Sequence, residues 1–137
     1  MKIFICSTLL LAVAFIAQAQ QTSKNPDKIK ITNVYTAETV TRGVENEFTV
    51  EVAYTFETAD QAEIGLGFNA DKPNAFKIIE SRIVQRGAGT VTFKVKVIPV
   101  DWGERGRFSV MVNISKTPHE VPWHPSASDR KEIPVGQ

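Results

Sequence analysis

Apolar and polar side chains alternate with a period of two along most of the chain beyond its first 27 positions. Phe48, Val50, Val52, Tyr54 and Phe56 fall on one side of an extended segment, with Thr49, Glu51, Thr55 and Glu57 on the other. That spacing matches a half-buried β-strand; a helix would scatter the same charges around its axis. A second inward row is Val91, Phe93, Val95 and Val97, with Thr92, Lys94 and Lys96 outward. A third is Phe108, Val110, Val112 and Ile114, with Ser109, Met111, Asn113 and Ser115 outward.

Shorter patterns fill the intervals. Ile29 and Ile31 open a strand near residues 28–35 that resumes near 39–41. Ile64, Leu66 and Phe68 mark another, with Gly65 and Gly67 on its far side. Residues 76–84 carry two apolar phases, and Ile133 with Val135 closes the pattern. Turn chemistry separates these segments at Arg42-Gly43, residues 70–74, Arg86-Gly87-Ala88-Gly89, residues 101–106 and the long connection 116–129. No stretch combines helical period with caps. Seven strands punctuated in this way predict an all-β, seven-stranded antiparallel immunoglobulin-like β-sandwich over residues 28–137.

The N-terminus follows another rule. Lys2 precedes an apolar run from Ile3 to Ile16, and Ala17-Gln18-Ala19 follows as a small-x-small signal. The run of roughly 14 residues is shorter than the ~20 that cross a bilayer. It reads as a signal peptide over residues 1–19, followed by a flexible polar leader over 20–27. Cleavage would remove 19 of the 137 residues and leave 118. Loss of Lys2 brings the sixteen Lys and Arg to fifteen, equal to the fifteen Asp and Glu. An uncharged balance argues against a general nucleic-acid binder. Cys6, the single cysteine, lies inside the apolar run, so a domain in an oxidising compartment would be held by its core alone. The expected location is extracytoplasmic, periplasmic or secreted, with no membrane span after signal removal.

Gly89-Thr90-Val91-Thr92-Phe93-Lys94-Val95, Gly106-Arg107-Phe108-Ser109-Val110-Met111-Val112 and the closing Ala127-Ser128-Asp129-Arg130-Lys131-Glu132-Ile133 resemble the bacterial cell-adhesion-related (CARDB-like) and fibronectin-type immunoglobulin-like domains. The likeness spans residues 47–135. Glu57-Thr58-Ala59-Asp60 stands where that family usually has Asn-x-Gly. The resemblance implies extracytoplasmic binding or spacing, and it brings no catalytic residues with it.

Candidate chemistry concentrates in Thr117-Pro118-His119-Glu120-Val121-Pro122-Trp123-His124-Pro125, which holds both histidines. His119 and His124 are five apart, whereas the zinc-protease helix needs four to place two imidazoles on one face. The prolines also exclude a continuous helix. A proline-stiffened loop with a flat indole suits recognition, because little entropy is lost on binding. Trp123, His119, Glu120 and His124 are therefore the ligand-binding candidates, joined by Trp102 in its own turn. In the structural alternative Trp123 and Trp102 plug open ends of the core. Asp101 and Glu104 form the one local carboxylate pair, and nothing resembles a nucleophile elbow. Gly87-Ala88-Gly89 reads as a hairpin turn. Lys94 and Lys96 could form a basic stripe with Lys28 or Lys30. Asn113-Ile114-Ser115 is a formal glycosylation sequon lying mid-strand.

The expectation is a monomeric, non-enzymatic adhesion or binding module for a protein or polysaccharide, with no metal and no cofactor. Two alternatives stand beside it: a structural subunit assembling by edge-strand addition, and a small metal-dependent hydrolase using His119 and His124.

Overall fold

The computed structural model describes residues 25–70, 77–99 and 107–136. The segment expected to be a signal peptide, most of the expected leader, and Asp101, Trp102 and Glu104 with their expected turn lie outside the described residues. Five strands form one antiparallel sheet: β1 (Lys28–Thr36), β2 (Asn46–Ala70), β3 (Lys77–Val97), β4 (Phe108–Lys116) and β5 (Ala127–Ile133). No helix is found among the described residues, and so none long and apolar enough to cross a membrane.

Five strands replace the expected seven because the expected turn at residues 86–89 is not a turn and because the segments on either side of residues 57–64 belong to one strand. β2 runs 25 residues and β3 runs 21. Gly87, Ala88 and Gly89 sit inside β3, opposite Phe56, Thr55 and Tyr54. The register between β2 and β3 breaks at Phe56–Gln61, so the extended pair bends there without reversing. Gly87 has φ +117, a conformation which L side chains rarely adopt and which permits the kink. Tyr54 lies across Gly89, where an added Cβ would sit 2.7 Å from its hydroxyl. An aromatic ring over a cross-strand glycine supplies the packing that glycine lacks.

The bend changes the neighbours of β2. Its first half pairs with β1 on one side and β3 on the other. Its second half keeps β3 and takes β4 in place of β1, and β5 extends the sheet beyond β4. The sheet thereby curls around one interior. Phe48, Val95 and Val112, drawn from three separate rows, belong to one buried cluster with Ile29, Ile64 and Phe93. Phe48, Phe68 and Phe108 form its aromatic end, with Phe68 and Phe108 stacked at 5.4 Å.

Curling brings β1 and β5 together. The Ile31 amide donates to Asp129 Oδ2 at 2.8 Å, and Val40 forms a parallel bridge with Val135. The resumption expected near 39–41 is this single bridge. A bulge between Ile31 and Asn33 shifts the phase of β1, so that Val34 rather than Asn33 packs on the core. The proposed lysine stripe is not formed. β2 separates β3 from β1, Lys94 lies level with Thr49, and Lys28 lies level with Thr55, at the other end of the row.

β4 departs from simple alternation. Ser109, Asn113 and Ser115, expected outward, are buried, as are Val110, Val112 and Ile114. Each is covered from a neighbouring element. Arg130 Nε donates to Ser109 Oγ at 2.7 Å, Ile78 and Asn113 converge over Gly65, and Trp123 reaches Ser115. Burial of Asn113 also removes the sequon from the surface.

Candidate functional site

The β4–β5 connection, residues 117–126, is pinned at both ends. Thr117 N–H donates to the Gln61 carbonyl at 3.1 Å, and Ser126 N–H donates to the Ile114 carbonyl at 2.8 Å. Between these anchors the chain is proline-shaped and contains two cis peptide bonds, Thr117–Pro118 and Val121–Pro122. Its side chains are tied back to the sheet. His119 Nε2 lies 2.6 Å from Glu63 Oε2 on β2, and Lys116 pairs with Glu120 across one turn. The Trp123 indole N–H donates to Ser115 Oγ at 3.3 Å.

Trp123 thus combines the two roles weighed from sequence. One edge of the indole is fixed to a buried serine of β4, yet the residue keeps 40% of its surface. A fixed orientation with an open apolar surface suits stacking or anchoring a ligand.

Facing the loop is a wall built from distant segments. Asp27, just before β1, is buried and accepts from the Glu57 amide at 2.8 Å and from Thr58 Oγ1 at 2.7 Å. Asn25 Oδ1 accepts from the Asp27 amide, and Asn25 Nδ2 donates to the Ser126 carbonyl. These contacts staple the entry of β1 to the bend of β2 and to the end of the loop. The last residues of the polar leader are therefore part of the folded structure.

Loop and wall enclose an open cleft of about 250 Å³. His119, Glu120, Trp123 and His124 line it together with Asn25, Asp27, Thr58, Ser115, Lys116 and Ser126. Four of the five sequence candidates converge here, whereas Trp102 lies outside the described residues. Asn25, Asp27 and Thr58 in the lining, and Glu63 behind His119, carried no local signal, since their placement depends on which strands become neighbours. Two further hollows, of about 270 and 460 Å³, lie at the opposite end of β5 around Ile133 and Pro134. Neither contains a tryptophan or a histidine.

Among the described residues, no three His, Cys, Asp or Glu side chains gather as metal ligands. His119 is engaged by Glu63, while Glu120 is engaged by Lys116. What the cleft offers is hydrogen-bonding groups around a partly open indole.

No family model and no curated protein sequence matches the chain. Among solved structures, the chain is similar to a selenomethionine-labelled β-glucosidase from Kluyveromyces marxianus. The two share 11% identity and a TM-score of 0.40, over 81% of this chain and 14% of that one. A likeness of that size transfers neither fold nor activity.

Proposed function

We propose that this chain is an extracytoplasmic, non-enzymatic binding module that takes a protein or polysaccharide ligand in the cleft beneath the β4–β5 loop. Counted on either side of the register break, β2 and β3 give four segments, and together with β1, β4 and β5 these support reading the curled sheet as an immunoglobulin-like sandwich. In such folds the end loops are the usual binding surface. The observation that carries the reading is the convergence of His119, Glu120, Trp123 and His124 on one cleft, with the indole anchored yet 40% exposed. Trp123 acts as the rigid apolar anchor. Asn25, Glu120, His124 and Ser126 provide a polar rim of donors and acceptors.

The test is a binding screen of the purified protein against a panel of polysaccharides and cell-surface proteins, repeated with Trp123→Ala. Loss of an anchoring aromatic costs about 2 kcal/mol or more, which weakens binding roughly thirtyfold. Thermal unfolding should stay cooperative, because the loop lies outside the core cluster. A ligand bound equally well by the variant would exclude this cleft.

A second reading, assembly by edge-strand addition, is favoured by one specific observation. Among the described residues β3 pairs with β2 alone, leaving its other edge open along its length.

A further inference from the structure

Exposed large apolar side chains are not spread evenly over the molecule. Ile78, Ile79 and Ile83 are 43%, 42% and 55% exposed, and all three lie within six residues of β3. They flank the open edge of that strand. An unpaired edge is a template for another strand, and proteins blunt it with bulges or with charges turned toward the core side. β3 carries both devices. The register breaks beside Ile78 and Ile79, opposite Leu66 and Gly67. Glu80 and Arg82 occupy the face shared with buried Val84, and the Arg82 guanidinium sits 5.4 Å from the Phe93 ring centroid.

Those charges do not forbid every partner. Two identical antiparallel strands related by a twofold axis through the sheet must place one residue opposite its own copy. An axis at Glu80 sets two carboxylates face to face, and an axis at Arg82 sets two guanidiniums face to face. Directly opposed like charges are destabilising. An axis at Ser81 has the reverse result. Small Ser81 meets Ser81, Glu80 meets Arg82 and Ile79 meets Ile83, and the bulge beside Ile78 ends the match there. Exposed Ile79 and Ile83 then face each other, and both ion pairs have opposite signs. The same charges that repel the adjacent registers thus select this one, which is specificity by exclusion.

We propose that two copies of this chain pair antiparallel through the open edge of β3, about a twofold axis beside Ser81. The proposal rests on the edge-addition reading and names its occupant as a second copy. An edge contact is small, so the association is weak and is measured at high concentration.

The experiment is a cysteine trap. Cys6 is the single cysteine, so Ser81→Cys is placed in a C6S background of the full chain. Mild oxidation should give a covalent dimer as the main product. Lys94→Cys on the same strand should not, because no residue of the second β3 stands opposite it in this register. Sedimentation equilibrium of the chain without the trap should show a reversible dimer that weakens at least about tenfold in Ile83→Lys. E80R should also weaken it, and E80R combined with R82E should restore it, since the swap returns opposite signs to both positions. Absence of both cross-link and dimer overturns the proposal. Hydrogen exchange separates that failure from the broader one. Rapidly exchanging outward amides on β3 in a monomer leave the edge open to other partners, whereas protected amides in dilute monomer exclude edge addition altogether.

Discussion

Asp27 shows how much a single side chain can decide. It stands at the end of a polar stretch, where composition suggests solvent, yet it is 3% exposed and accepts from a backbone amide and a hydroxyl of the β2 bend. A buried amide left without a partner costs about 1–3 kcal/mol. Asp27→Ala should therefore lower stability by about that amount, read as a fall in the urea midpoint with an unchanged slope. It should also loosen the wall of the cleft. Trp123 was legible from sequence as an unusual residue in a stiff loop. Its bond to Ser115 was not, because Ser115 reads as an ordinary outward position in a strand of period two. Glu63 was hidden for the same reason: nothing near it in the chain announces His119, which is 56 positions away.

At the level of elements, the inward rows were readable almost residue by residue. Phe48, Val50, Val52 and Phe56 are buried as their spacing requires, and so are Phe93, Val110 and Ile114. Strand ends were less readable. Gly87-Ala88-Gly89 has the composition of a hairpin turn, but β3 continues through it without reversing because β2 remains alongside to satisfy its backbone. Local turn preference amounts to a few tenths of a kcal/mol to about 1 kcal/mol, less than a run of ladder hydrogen bonds. The glycine is still needed for its conformation. At φ +117 an alanine is strained by about 1–3 kcal/mol, so Gly87→Ala should lower the thermal midpoint although open space surrounds the new methyl group. If the variant is as stable as the parent, the bend does not depend on that dihedral. Doubling of β2 and β3 also explains the long open edge, since a strand that follows one partner around a bend exposes its other side throughout.

For the whole molecule, stability rests on one interior enclosed by a sheet that curls until β1 meets β5. Without a disulfide among the described residues, apolar burial is the main favourable term. Phe48, in the aromatic end of that interior, is fully buried and lies 4.9 Å from Phe68. Phe48→Ala should cost about 3–5 kcal/mol. Against the 5–15 kcal/mol typical of a domain, that leaves a marginal fold, visible as a large loss of midpoint in denaturant melts. An equal substitution at Val121, 97% exposed in the loop, should leave the midpoint within about 0.5 kcal/mol of the parent. The cleft depends on this closure, since one wall comes from the entry of β1 and the other from the exit of β4. No residue of β3 lines the cleft, so Trp123→Ala and Ser81→Cys address ligand binding and pairing of copies separately.

The order of apolar and polar residues by itself determined that the chain is all-β, which side chains form the interior, and which loop holds the unusual chemistry. Those properties follow from period-two geometry and from the cost of exposing apolar surface, both of which act over a few neighbouring residues. Tertiary structure decided how many strands result, that the outward row of β4 is covered, which residues oppose the loop, and which edge stays open. These depend on pairings between segments tens of residues apart, where the partner's identity, rather than the local spacing, sets the free energy.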